Sequence, residues 1–451
     1  IYNCAVMKTF AVSILLYICC LPLAYSQTLN EAKDLYLKGK FKEALPVMEA
    51  EYNAKPTDPS FNQWYGACLF ETGGDIQKAE ECLKFASTKG IQDSFVYLGR
   101  IYSRQYRFEE AETAFEHYKS LLTKRNPRKK KDEIARDEAA LERLEGYEKV
   151  LSRLRRMANN TEDIQIIDSM VVDKEDFLLA YKLSFSGGRV EYFNEVFNTN
   201  IPVSSTVYYN EKETKIYYAQ PDTSKLYTLF SMEKLLEGFG NEKRLSANNF
   251  NLVGNVNYPF MMPDGVTIYF AANDEESIGG YDLFVSRYNM NNDTYLTPER
   301  MNMPFNSIYN DYMLVIDEMK GVGWFASDRF QPEGKVCVYT FIPNPKVKIV
   351  ESEDEAYKAN RALITSIKES WADDADYTRL IAFARKEPVE EKKVVRDFEF
   401  VINNDYTYYT LSDFKNNTAR DMYFKVVKMK KDLAEAEKDL ENKRTSYASA
   451  T

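Results

Sequence analysis

Histidine is nearly missing from this sequence, His117 being its single instance. Ser–His and Cys–His nucleophilic machinery is therefore all but excluded. No Gly-x-Ser-x-Gly elbow, phosphate-cradling glycine loop or His/Cys zinc spacing stands in the chain either. Cysteine is scarce: beyond residue 26 only Cys68, Cys82 and Cys337 remain. That odd number does not build a disulfide framework. Cys68 and Cys82, on neighbouring helices, leave one bridge open beside the reading of all three as core thiols. Positive charge is in deficit, with 59 Lys and Arg against 69 Asp and Glu and a net charge of −10. A phosphate backbone is thus a poor partner. The enzyme reading that survives is a propeller glycosidase using two carboxylates, yet no acidic pair stands out from the turns. The expectation is a protein that is not an enzyme, with no cofactor and no metal.

Long apolar runs are also lacking, apart from residues 10–23. Met7-Lys8 precedes that run and Ala24-Tyr25-Ser26 follows it, placing small residues at −3 and −1 before Gln27. The pattern is that of a secretory signal peptide over residues 1–26, with Met7 as initiator. Lipidation at Cys19 or Cys20 is the competing reading, and Leu16-Tyr17-Ile18 stand where it requires small residues. No other stretch is apolar enough to span a bilayer. An exported protein of the periplasm, or of the periplasmic face of the outer membrane, is expected.

What the chain does have is two textures. Over residues 27–126 apolar residues recur at helical spacing, with a period near 34. Ala32, Gly39, Ala44 and Pro56 mark one unit, and Leu98-Gly99-x-x-Tyr102, Ala111 and Phe115 mark another. Gly66, Gly99, Ala44, Ala79 and Ala111 let paired helices approach, while Tyr36, Tyr102 and Phe115 fill the space between pairs. These residues resemble the tetratricopeptide repeat, with Tyr106 in place of a turn glycine. The resemblance implies an α-solenoid that binds extended peptides along the first helix of each pair. Lys33, Tyr36, Gln63, Phe70, Arg100 and Arg104 would face that groove, with Arg100 and Arg104 one helical turn apart to grip a carboxylate. Residues 127–160, with a stripe of Leu141, Leu144, Tyr147, Leu151 and Leu154, read as a capping helix.

From residue 161 to 350 the text becomes short aromatic and β-branched runs between turn residues. Asn257-Tyr258-Pro259 with Asp264-Gly265, then Ile268-Tyr269-Phe270-Ala271, then Gly280-Tyr281-Asp282 form one unit. Asp311-Tyr312, Gly323-Trp324-Phe325-Ala326-Ser327-Asp328-Arg329 and Val336-Cys337-Val338-Tyr339 form its copy. A weaker copy starts at Thr206. Asp264-Gly265 reads as a turn, and Asp282 and Asp328 as braces on backbone N–H groups. A calcium site at Asp274-Glu275-Glu276 with Asp282 is the sharper alternative to that structural role. The motifs resemble the WD40-like repeat of TolB-type β-propellers, which implies a propeller, here of five or six blades. Residues 351–390 read as a helical insertion, and residues 391–414 as a hairpin closing the ring through Asn403-Asn404-Asp405.

Residues 415–451 carry a heptad seam, Val426, Leu433, Leu440 and Tyr447 with Met422, Met429 and Ala436 between, interrupted by Lys443. It suits self-association, binding of a partner, folding back as a hairpin or docking as a surface helix. Chains that join these modules after a signal peptide are similar to envelope subunits of the Bacteroidota, including those linked to type IX secretion and gliding. The resemblance implies a protein–protein interaction scaffold with envelope protein partners. A glycan- or small-ligand-binding propeller, suggested by the 33 tyrosines, is the alternative.

Overall fold

The computed structural model describes residues 28–124, 129–201, 205–236, 238–245, 254–387, 398–402 and 407–448. The signal segment 1–26 and the turn Asn403-Asn404-Asp405 lie outside the described residues. The chain divides into two compact units, Ile1–Lys386 and Glu387–Thr451.

The first unit opens with three antiparallel helix pairs: α1 (Leu29–Leu37) with α2 (Phe41–Ala54), α3 (Pro59–Thr72) with α4 (Ile76–Thr88), and α5 (Asp93–Arg104) with α6 (Phe108–Thr123). Local chemistry sets their starts. Thr28 and Glu31 form a reciprocal capping box on α1, and Asp58 caps α3 ahead of Pro59 at its first turn. Within the pairs, small residues decide the spacing. A Cβ on Gly99 would stand 2.3 Å from the Phe115 ring, and one on Gly66 would stand 2.9 Å from Leu83. Tyr106 occupies the α5–α6 turn at φ +59°, a backbone state that disfavours side chains. It is held there by burial of its ring, which is 3% exposed. The long α7 (Lys131–Asn159) then lays Ala140, Leu144, Leu151, Leu154 and Ala158 against the pairs, and Tyr147 stacks on Phe115. Cys68, Cys82 and Cys337 are free and buried, Cys68 and Cys82 within the helical core.

The strands that follow build antiparallel sheets. In one the order is β2 (Arg189–Tyr192), β3 (Thr206–Tyr209), β4 (Lys215–Pro221), β5 (Tyr227–Leu235) and β6 (Gly238–Arg244), with the one-turn α8 (Phe193–Val196) between β2 and β3. The next joins β7 (Asn255–Met261), β8 (Thr267–Asn273), β9 (Asp282–Asn289) and β10 (Thr294–Tyr295), with β11 (Glu299–Arg300) beside β9. The third runs β12 (Asp311–Asp317), β13 (Val322–Ser327), β14 (Lys335–Ile342) and back to β1 (Gln165–Asp173). The copies seen in the sequence are copies in space. Asn257 pairs with Ala271 and Phe260 with Tyr269, just as Tyr312 pairs with Ala326 and Val315 with Trp324. Each has a β-bulge between those pairs, with Tyr258 at φ +56° and Met313 at φ +53° in equivalent places.

Five or six blades are not formed. The described strands make a half-barrel of three sheets and no closed propeller. The sheets are fewer than the run of strands suggests for a visible reason. Strand β1, the first of the region, is used by the last sheet, where it pairs with β14 from Gln165↔Ile342 to Asp173↔Lys335. The centre is then filled by Phe177, whose ring meets Tyr181, Tyr192, Tyr258 and Tyr312 edge-on. Of the hairpin expected at 391–414, the described strands β15 (Phe400–Val401) and β16 (Thr407–Tyr408) pair with each other, in the second unit. The stretch 351–390 holds α9 (Glu355–Leu363) and α10 (Thr378–Ala384). Between them Ser370 and Trp371 hydrogen-bond Ile166, which covers the free edge of β1. The second unit is that hairpin and α11 (Asn417–Ala448).

Candidate functional site

Helices α1, α3 and α5 bring the six predicted groove residues to one face. Gln63 donates from Nε2 to the Tyr36 hydroxyl at 2.8 Å, and that hydroxyl donates to Tyr97 Oη at 3.4 Å. Phe70 meets Tyr97 edge-on, and both Arg100 and Arg104 lie over the Phe70 ring, at 4.8 and 4.6 Å. Lys33 lies 4.6 Å over Trp64, one turn away from that chain of contacts. The residues that sequence reasoning missed are the ones between: Trp64, Glu71, Tyr97 and Tyr147. Tyr97 carried a signal, since it sits one helical turn before Arg100 and Ile101.

Availability differs sharply among the six. Gln63 and Phe70 are buried, and Tyr36 is half-buried. Arg100 does not wait for a carboxylate. It already holds Glu71 in a two-point ion pair, with its guanidinium between Phe70, Tyr97 and Tyr147. A cation in so enclosed a place needs an internal anion, and Glu71 supplies it. Arg104 is different. It is exposed, and among the described residues no carboxylate lies within ion-pair distance of it. Surrounding protein and the like charge of Arg100 hold its pKa below the usual guanidinium value. Burial pushes Tyr97 up to about 12, so its hydroxyl stays neutral. Of the two guanidiniums only Arg100 is paired with a carboxylate, leaving an excess positive charge on a flat aromatic seat.

The propeller-type residues take structural roles. Asp264 Oδ1 accepts from the N–H groups of Val266 and Thr267, and Gly265 turns the chain at φ +67°. Asp328 accepts from the backbone N–H and the side-chain amide of Asn310. Tyr258 and Pro259 form the bulge. Asp282 is not primarily a loop brace: it is fully buried and ion-paired to Arg300, which also binds Asp274 at 2.8 Å. Burial, against the pull of Arg300, pushes Asp282 up to about 7. That guanidinium sits between two of the four carboxylates of the calcium alternative, Asp274 and Asp282. Arg329 is buried against Asp311 at 2.7 Å. Tyr208, Tyr217, Tyr218, Tyr258, Tyr312 and Tyr339 are core residues and not open to a ligand, while Tyr192, Tyr269, Tyr281 and Tyr288 are half-buried. His117 lies with its ring 4.2 Å from Phe95.

No protein-family model matches the chain, and no curated protein matches it. Among solved structures, the type III secretion translocator chaperone SycD of Yersinia enterocolitica is similar over 29% of this chain and 93% of that chain, with 21% identity and a TM-score of 0.21.

Proposed function

We propose that this chain is a non-enzymatic protein–protein interaction scaffold of the cell envelope. It is exported by the N-terminal signal and acts in the periplasm or at the periplasmic face of the outer membrane. Partner proteins bind through the α1, α3 and α5 face, and the WD40-like, propeller-type sheets offer a second module. The observation that carries this reading is Arg104: an exposed guanidinium stacked on Phe70, beside an internally satisfied Arg100–Glu71 pair. Such a seat favours an extended acidic segment or a terminal carboxylate, since a planar guanidinium binds a carboxylate by two parallel hydrogen bonds.

The test is affinity capture from detergent-solubilised envelopes, with the chain and its Arg104→Glu variant as baits, read by mass spectrometry. Wild type is expected to retain an envelope protein whose isolated acidic segment binds roughly 10–100-fold more weakly to the variant. Arg100 is left intact because its removal would strand Glu71. Equal capture by both baits would remove Arg104 from the contact, and capture of no protein by a folded bait would sink the scaffold reading.

A further inference from the structure

The second unit carries an apolar face that its own hairpin leaves open. Helix α11 runs unbroken for 32 residues, so it does not fold back on itself. Along one seam Met422, Val426, Met429, Leu433 and Leu440 are between 49% and 69% exposed. A continuous stripe of that kind is rare on a surface with nothing to cover it. At its N-terminal end the stripe enters a cleft of about 660 Å³, lined by Phe400, Tyr408, Phe414, Met422, Tyr423 and Val426. The spacing of three and four is that of a coiled-coil seam.

Charge chooses the occupant. Residues 417–431 hold five cations (Arg420, Lys425, Lys428, Lys430, Lys431) against Asp421, a net +4. Residues 432–448 hold five anions (Asp432, Glu435, Glu437, Asp439, Glu441) against Lys438, Lys443 and Arg444, a net −2. A helix with one basic and one acidic half complements itself when inverted. We propose that α11 pairs antiparallel with α11 of a second copy of this chain. Leu433 then packs on Met429 of the second copy, Val426 on Ala436, and Leu440 on Met422 at the edge of the apolar cleft. Lys425 comes opposite Asp439 of the second copy on both sides of the twofold axis, so this attractive pair is made twice, whereas the like pairs Asp432 with Asp432 and Lys430 with Lys430 are each met once, at the axis. The parallel alternative sets Lys425 against Lys430 and Asp432 against Glu437, like charge on like charge, at the positions that flank a coiled-coil seam.

Sedimentation equilibrium of the full chain at low salt tests this, with Lys425→Glu, Lys425→Glu/Asp439→Lys and Asp432→Cys. All these positions lie on an exposed helix surface, and far-ultraviolet circular dichroism checks that each variant stays helical. The expected result is a reversible dimer, weakened roughly tenfold by Lys425→Glu and restored by the double reversal. Asp432, next to the twofold axis, is expected to give a reducible cross-linked dimer as Asp432→Cys. Three results overturn the proposal: a monomer at every concentration, a dimer tightened by Lys425→Glu, as parallel pairing requires, or no cross-link through position 432. A helix covered instead by a different protein would give the first of these.

Discussion

Arg329→Met is expected to lower the unfolding free energy by about 3–5 kcal/mol, measured by urea denaturation, because it strands a carboxylate in a dry interior. Asp311 and Arg329 are both 0% exposed. Arg329 donates to Asp311 at 2.7 Å, to the Pro304 carbonyl at 2.8 Å and to Ser327 Oγ at 2.9 Å. One side chain thus ties the end of β13 to the loop before β12. Methionine keeps much of the volume and loses every one of these donors. Asp311 would retain only neutral side-chain donors, the hydroxyls of Ser307, at 2.7 Å, and Ser327. The double variant Arg329→Met/Asp311→Leu removes both charges and is expected to recover most of the loss, since an apolar pair of similar volume does not leave an ion behind. If the double variant is no more stable than the single one, the cost lies in packing around Arg329, and the ion-pair account fails.

Arg329 is legible in the sequence as the end of the Trp-Phe-Ala-Ser-Asp-Arg motif, but its partner, Asp311, is not. Motif spacing shows that two segments are built alike; it does not show which atoms meet. The 55-residue offset between Tyr269 and Trp324 is legible because both occupy the same place after the same bulge. The helices were legible for a related reason: Gly66, Gly99, Ala79 and Ala111 act on neighbours within about one repeat, and local spacing encodes them. Where the partner is distant, the sequence is silent. Gln165 finds Ile342 across most of the region, and nothing near β1 announces that it belongs to the last sheet. Counting strands along the chain therefore overstated the blades. The groove shows the same division. Periodicity put Arg100 and Arg104 on one face, yet which of them is available depends on Glu71, on the preceding helix of that face. An ion pair between two helices has no spacing signature, because any charged residue on the neighbouring face could have met it.

Phe177→Ala is expected to cost about 3–5 kcal/mol, the range for deleting a buried aromatic ring. The ring is 1% exposed and touches one tyrosine from each sheet: Tyr192 on β2 at 6.0 Å, Tyr258 on β7 at 6.2 Å and Tyr312 on β12 at 5.5 Å between centroids. Each edge-on pair contributes about 0.5–1.5 kcal/mol beyond burial, so the loss should sit at the upper end if the tyrosines cannot close in. They have little freedom to do so. Tyr258 stacks on Tyr312 at 5.0 Å, and Tyr258 is fixed by its bulge. Phe177→Leu keeps an apolar wedge but loses the edge-on ring pairs, and is expected to cost less than the alanine because it leaves a smaller cavity. Because β1 pairs with β14 and Phe177 follows β1 directly, the segment that completes the third sheet also delivers the wedge between all three. The alanine variant should therefore shift one cooperative urea transition of the sheet region, followed by near-ultraviolet circular dichroism of its tyrosines. A separate early transition, with the remaining sheets unfolding as in wild type, would mean that the sheets are held pairwise where β4 meets β7 and β8 meets β12, and that the central ring couples none of them.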